Sequence, residues 1–584
     1  MAGIGDCGTL GRWATELLNR VKPRKHNRIA LISIERVYRL ATRLINEPIP
    51  ADRSVCFSVC SPTQVAENLM SLSRRELLKT GALAVAGSTI GSVASTSAAA
   101  AQVSASDVGQ WGIFETSCRG PENDNPYVEV EFGATFERGG RAVSVTGFYD
   151  GAGTYRVRFM PDSIGTWTYR TQSNRPELNG KSGSFTVTPA QVGNHGPVRV
   201  KDEYHFIYAD GTPYRELGTT CYAWTSQPAA LEEETLKTLA ASPFNKVRMC
   251  LFPKWFNYNH AEPPRYPFIG QAPSRWDFTQ INPEYFQHFE KRIGQLAEME
   301  MQADVILFHP YDAGHWGFDN MDAENDDRYL RYMIARLGAY RNVWWSLANE
   351  WDYFKTKTEA DFERFGEIIA KNDPYKHLCS IHNQKTFFDH SKPWISHVSV
   401  QNDMPDNAPA YIRKYAKPVV FDECRYEGDI PEGWGDITAV RLAGNFWKTL
   451  VEGAFCGHGE TYLNATEELW WSKGGVLVGQ SPALLKFFKQ IVDAAPAEAT
   501  VLSDRNTWGV EGEYYLTYLW DRQHATQSYK LPEDVKFNAD IIDTLAMSIT
   551  PVAGALSGKV DIALPVKPYL AIRLRRIEAG TSTA

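Results

Sequence analysis

Val343-Trp344-Trp345-Ser346-Leu347-Ala348-Asn349-Glu350-Trp351 is an apolar run that stops abruptly at Asn-Glu. Further on, Pro418-Val419-Val420-Phe421 stops in the same way at Asp422-Glu423. A short apolar run bounded by polar residues marks a strand buried on both faces. Each run would deliver a carboxylate at its C-terminal end, which is where (β/α)8 barrels gather their chemistry. Two carboxylates facing each other are what cleavage of a glycosidic bond requires.

Around these two runs, residues 200–495 repeat strand then helix. Strand patterns fall at 217–222, 246–251, 303–308, 343–347, 378–381, 397–400, 418–421 and 454–457. Apolar residues recur at helical spacing between most of them, most clearly over 284–299 and 436–452. Eight such strands predict a (β/α)8 TIM barrel. A doubly wound open sheet is the alternative, but no G-x-G-x-x-G follows the first strand, which removes its usual dinucleotide-binding form. Residues 108–195 alternate apolar and polar at 127–132, 155–159 and 184–187, with Gly/Asp/Asn/Pro clusters between. That punctuation predicts an N-terminal antiparallel β-sandwich. Residues 500–577 return to strands at 514–519, 540–545 and 569–574, predicting a second, smaller sandwich. The expected fold is therefore multidomain, an α/β barrel flanked by two antiparallel β-sandwich domains.

The chain has 584 residues, too many for a single core. Its net charge of −8 is unevenly spread. Residues 1–79 carry 13 Lys/Arg against 7 Asp/Glu, and the rest carries 48 against 62. An acidic body argues against nucleic acid or an anionic membrane as partner. Ser73-Arg74-Arg75-Glu76-Leu77-Leu78-Lys79, a modest apolar stretch from Gly81 to Ala94 and the small residues Ala98 to Ala101 resemble a twin-arginine export signal over 70–101. The apolar stretch is too weak and too rich in Gly and Ser for a stable membrane anchor. Export predicts a periplasmic or extracellular protein. Met70 precedes Ser73 by three residues, so translation is expected to start there, with 1–69 a mis-annotated extension. Of nine cysteines, six follow the signal: Cys118, Cys221, Cys250, Cys379, Cys424 and Cys456. None forms a C-x-x-C pair, so a structural zinc site is not indicated. Several lie in strand-like runs, where a thiol behaves as a small hydrophobe. Twin-arginine substrates fold before export in a reducing compartment, so no disulfide framework is expected.

With Glu350 ending the fourth strand and Glu423 the seventh, the pattern resembles the large clan of retaining (β/α)8 glycosidases. In that clan the acid/base Glu follows an Asn at the end of strand four, and the nucleophile ends strand seven. The resemblance implies Glu350 as acid/base, Glu423 as nucleophile and Asn349 on the sugar 2-hydroxyl. It also implies that Arg248, a charge inside the second strand, supports the nucleophile carboxylate. A purely structural salt bridge is the plainer reading of that arginine. Asp422 adjoins Glu423, but neighbouring strand residues point to opposite sides, so only one of them should face the barrel axis. Polar or aromatic groups at other strand ends are candidate sugar contacts: Trp224, His309, Asp312, His382, Gln401, Trp470 and Trp471. His309, Asp312 and His315 match no usual zinc spacing, so neither metal nor cofactor is expected. Over 108–577 the chain resembles, more closely, a group of secreted glycoside hydrolases with the same three parts. The matching elements are Leu217-Gly218-Thr219-Thr220-Cys221-Tyr222-Ala223-Trp224, Asn349-Glu350-Trp351-Asp352, 421–428 and Ile541-Ile542-Asp543-Thr544. The implied activity is hydrolysis of an oligo- or polysaccharide by double displacement. The alternatives are a non-catalytic carbohydrate-binding protein built on a dead barrel, and a metal-dependent hydrolase.

Overall fold

The computed structural model describes residues 107–502 and 506–578. The twin-arginine segment and the residues before it lie outside these.

Eight strands form one parallel sheet: β1 (Gly218–Thr220), β2 (Lys246–Cys250), β3 (Gln302–Phe308), β4 (Val343–Ala348), β5 (Cys379–Ser380), β6 (Val398–Gln401), β7 (Val419–Glu423) and β8 (Phe455–His458). Their spatial order is β5-β4-β3-β2-β1-β8-β7-β6. The ladder is thus continuous through β8 back to β1, and only the β5–β6 seam lacks one. Ser396, two residues before β6, closes that seam: its N–H donates to the Cys379 carbonyl at 2.8 Å, and its Oγ accepts from the Cys379 N–H at 2.9 Å. This is the expected barrel.

Helices follow as α1 (Ala229–Ala241), α2 (Pro283–Glu298), α3 (Ala323–Leu337), α4 (Glu359–Asn372), α5 (Ala408–Tyr415), α6 (Ala439–Val451) and α7 (Ser481–Asp493). Their starts are chemically fixed. Asn282 accepts from the Glu284 N–H ahead of Pro283, Asp322 accepts from the Asn325 N–H, and Thr358 with Asp361 makes a capping box. No helix stands between β5 and β6, where 381–397 runs as an irregular crossover.

Below the barrel a three-stranded antiparallel hairpin (Val198–Val200, Phe206–Tyr208, Pro213–Tyr214) packs Val198, Phe206 and Tyr214 against Trp344, Leu378 and Val420. This apolar plug closes the barrel end opposite the one to which Glu350 and Glu423 are delivered.

The N-terminal region is a five-stranded sheet facing a three-stranded one. Phe114, Phe136, Val157, Phe159, Trp167 and Phe185 fill the space between them. Every pairing is antiparallel except the two-residue edge pair Val108↔Val187, Gly109↔Thr188. One expected strand is overturned: residues Pro126–Glu129 form a helical turn, and only Phe132 of the 127–132 alternation enters a sheet. Asn125 caps that turn by accepting from the Tyr127 N–H, and Pro126 occupies its first position. The helix-start chemistry outweighs the period-two pattern. An ion cluster joins this region to the barrel: Arg158 pairs with Glu290 at 2.6 Å, and Arg336 pairs with Glu290 and Asp150, both at 2.7 Å.

The C-terminal region is a six-stranded antiparallel sheet with a two-stranded partner, sharing a core of Phe537, Ile562, Ile572 and Leu574. Trp447 of α6 stacks on Tyr518 of this sheet at 5.7 Å.

Candidate active site

Inside the barrel, polarity rises in layers above the apolar plug. Lys246 and Arg248 lie two apart on β2, so both point inward. The Lys246 ammonium meets Asp422 at 2.9 Å, Glu216 at 3.1 Å and Asp304 at 3.7 Å, all essentially without solvent exposure. The cations Lys246 and Arg248 hold the Asp422 carboxyl well below the usual range against the opposing effect of burial, and Ser399 Oγ donates to it at 2.5 Å. Glu216 has fewer compensating partners, and burial pushes it up to about 7. Asp422 is therefore a structural anion in the layer below the mouth.

Strict alternation would then turn Glu423 away from the axis. The β6–β7 register prevents this. Ser399 pairs with Val420 and Gln401 with Glu423, so one residue of β6 faces two of β7. This bulge re-aims the next side chain, and Asp422 and Glu423 both lie on the interior side, at different depths.

Gln401 joins the two glutamates. Its Nε2 donates to Glu350 Oε1 at 2.9 Å and to Glu423 Oε2 at 3.2 Å. One nitrogen reaching both oxygens holds them within about 6 Å of each other, inside the range over which like charges shift one another's ionisation. Tyr222 Oη donates to the other oxygen of Glu423. Glu350 follows β4 with φ +47° and ψ +56°, a left-handed conformation that costs a non-glycine residue about 1–2 kcal/mol. Burial first, and the Glu423 charge second, raise the Glu350 carboxyl to about 7. Gln401 thus donates to both carboxyls, while Tyr222 donates to Glu423 alone.

Asn349 is fully buried between them and is fixed from both sides. Its Oδ1 accepts from Arg248 Nη2 at 2.7 Å, and its Nδ2 donates to Tyr311 Oη at 2.6 Å. Arg248 also donates to Asp304 and to Ser346 Oγ, each at 3.0 Å. Its donors are therefore directed at Asn349 and the layer below, and no ion pair joins it to Glu423 among the described residues. Arg248 supports the site by holding the Asn349 amide. Replacing it with methionine would leave Asp304 and the Asn349 carbonyl short of partners in the barrel interior. A loss of about 3–5 kcal/mol in unfolding free energy is expected, read from denaturant unfolding.

The other expected contacts divide. His382 is buried behind Glu423, with Nδ1 3.9 Å from Glu423 Oε1, and burial lowers it to about 4, leaving it neutral. His309 is buried too. Its Nδ1 accepts from the Tyr311 N–H at 3.2 Å and its Nε2 faces the Phe252 carbonyl at 3.2 Å, so it shapes the loop that presents Tyr311. Asp312 caps the same loop, accepting from the Trp316 N–H at 2.6 Å and the Phe318 N–H at 2.7 Å. Trp224 is wholly enclosed in the core between β1 and the outer helices. Trp470 is also enclosed, its indole N–H donating to Thr219 Oγ1 at 2.9 Å. Trp471 lies at the mouth but is 4% exposed, covered by Trp434 at 4.8 Å. His309, Asp312, Trp224 and Trp470, expected as sugar contacts, are thus held as supports, and Arg248, expected to support the nucleophile, holds Asn349 instead. A strand-end residue whose side chain finds backbone donors or core neighbours is not free to reach the cleft.

Tyr222 and Tyr311, which reach the glutamates, stand beside residues singled out in the sequence (Trp224, and His309 with Asp312). Among the described residues, Glu427, His458 and Glu460 form the one group with metal-like spacing. Glu427 accepts from Tyr462 Oη and from the Gln480 and Ser481 N–H groups, and Glu460 accepts from the Val478 and Gly479 N–H groups. Hydrogen bonds occupy three of the four carboxylate oxygens, so the cluster serves as a brace ahead of α7 and fits a metal poorly.

Comparison with known proteins agrees with the barrel fold. The family described as "Apiosidase-like, catalytic domain" matches residues 200–471. Domains described as of unknown function match 107–174 and 504–575. A crystal structure of a candidate glycoside hydrolase from Bacteroides vulgatus is 39% identical, over 81% of this chain and 100% of that one, with a TM-score of 0.78. The chain belongs to the glycoside hydrolases. A second Bacteroides vulgatus structure, a family 5 glycoside hydrolase, is 16% identical over 65% of this chain and 94% of its own, with a TM-score of 0.51, and shares the fold. No curated protein matches. As a glycoside hydrolase the protein is an enzyme acting on carbohydrate. No helix among the described residues is long and apolar enough to cross a membrane.

Proposed function

We propose that this glycoside hydrolase retains anomeric configuration, working by double displacement with Glu350 as acid/base and Glu423 as nucleophile. The observation that carries the reading is the shared Gln401 amide. It bridges one oxygen of each carboxylate, at 2.9 and 3.2 Å, so those two oxygens are no more than about 6 Å apart, which supports the close pairing of a retaining site (~5–5.5 Å) over the wider gap of an inverting one (~6.5–9.5 Å). In the first step Glu423 attacks the anomeric carbon as the Glu350 proton passes to the departing glycosidic oxygen. A covalent glycosyl-enzyme results. Glu350, now a carboxylate, then takes a proton from water, whose oxygen attacks the same carbon and displaces Glu423. Asn349, its carbonyl held by Arg248, has a second Nδ2 hydrogen for the sugar 2-hydroxyl. Trp471 and Trp434 form an aromatic wall beside the mouth.

The raised Glu350 carboxyl has a direct consequence. Only the protonated form can start the reaction, so kcat/KM should fall as pH rises through about 7. A kcat/KM profile that stays flat from pH 6 to 9 would remove Glu350 from the acid role. The substrate is sought on a panel of chromogenic glycosides and plant or microbial polysaccharides. Apiosides belong in that panel, because the family description names them. The Arg74-Arg75 pair supports export. Changing both to lysine should leave the precursor inside the cell, read by fractionation, and unchanged export would count against a twin-arginine route.

A further inference from the structure

Lys254 lies on the segment after β2 and is 1% exposed. Its ammonium has no hydrogen-bond acceptor and no ion-pair partner among the described residues. Four aromatic rings surround it instead: Trp471 at 3.7 Å, Tyr222 at 4.5 Å, Tyr311 at 4.6 Å and Phe256 at 5.3 Å. Ring faces attract a cation through their quadrupoles. Even so, burying an ammonium with no acceptor is costly, and methionine would fill the same space without that cost. What the position gains from lysine is its charge.

Two of those rings carry the hydroxyls of the site. Tyr222 donates to Glu423, and Tyr311 accepts from Asn349 and stands against Glu350. The groups facing Lys254 are Tyr222 after β1, Cys250 at the end of β2, Tyr311 after β3, Glu350 after β4, Glu423 at the end of β7 and Trp471 after β8. Burial keeps the Cys250 thiol neutral, up at about 12, so the two glutamates are the only carboxyl groups in this set.

We propose that Lys254 is an electrostatic positioning residue for the catalytic pair: its ammonium, held against the faces of Tyr222 and Tyr311, polarises both hydroxyls toward Glu423 and Glu350 and limits the negative charge of the closed site. This rests on the roles proposed above for Glu350 and Glu423. Burial lowers Lys254 to about 8, with both glutamates opposing the shift, so it stays largely charged while Glu350 holds its proton. The Lys254 charge in turn lowers Glu350. Its removal should therefore raise the Glu350 titration and move the alkaline limb of kcat/KM upward.

The test compares Lys254→Met and Lys254→Arg in the full protein. For Lys254→Met we expect an alkaline limb shifted up by about one pH unit, a kcat about tenfold lower and a KM within about twofold. Lys254→Arg should bring the limb back toward its original position. A limb that does not move in folded Lys254→Met overturns the inference and leaves lysine as packing. If that variant does not fold, the coupling is read from the other side by NMR of [13Cε]lysine-labelled protein. Glu350→Gln and Glu423→Gln should each lower the Lys254 titration midpoint, and an unchanged midpoint in both overturns the inference. Activity surviving in the two glutamate variants would instead refute the proposed function, a separate result.

Discussion

Glu423→Gly is expected to lower kcat by on the order of 10^4-fold with the fold intact, because it deletes the proposed nucleophile and one acceptor of Tyr222 and Gln401. The cleft it leaves can admit a small anion. Added azide should restore turnover and yield a glycosyl azide of configuration opposite to the substrate, since one displacement replaces two. The neighbouring Asp422→Asn separates nucleophile from scaffold. It disturbs the ion layer with Lys246, so its main loss should be in unfolding free energy, with no azide product. Azide rescue in Asp422→Asn and none in Glu423→Gly would reverse the assignment.

Glu350→Gln should divide substrates by leaving group. General acid catalysis contributes typically 10^2–10^4-fold. A loss of that size is expected on unactivated glycosides, whereas aryl glycosides with acidic phenols need no proton and should lose far less in their first step. The alkaline limb near 7 should vanish with the carboxyl that causes it. Equal losses on both substrate classes would indicate that Glu350 serves geometry rather than proton transfer.

The barrel was legible because buried parallel strands are short apolar runs, and all eight strands fall on the expected runs. The placement of Glu350 just past β4 and of Glu423 at the end of β7 was legible for the same reason. What surrounds them was less so. Near strands one and three the reading selected Trp224, His309 and Asp312, whereas Tyr222 and Tyr311 reach the pair. Past a strand end, loop hydrogen bonds decide which side chain turns inward. The alternation rule also misled at Asp422-Glu423. The β6–β7 bulge depends on pairing with another strand and cannot be read from β7 alone. Arg248 was read as a support for the nucleophile, but Asp304 and Asn349 claim its donors. Lys254 carried no signal, because its setting comes mainly from three rings distant in sequence, Tyr222, Tyr311 and Trp471. The Tyr127 segment failed where Asn125-Pro126 starts a helical turn.

The most direct test is covalent trapping. The 2-deoxy-2-fluoro analogue of whichever glycoside the enzyme cleaves, carrying an activated leaving group, is incubated with wild-type protein, and the peptides are mapped by mass spectrometry. One sugar per protein on Glu423, paired with retained configuration in ordinary turnover, is the expected result. A label on Asp422 or Glu350, or turnover that inverts configuration with no label at all, would contradict double displacement through Glu423.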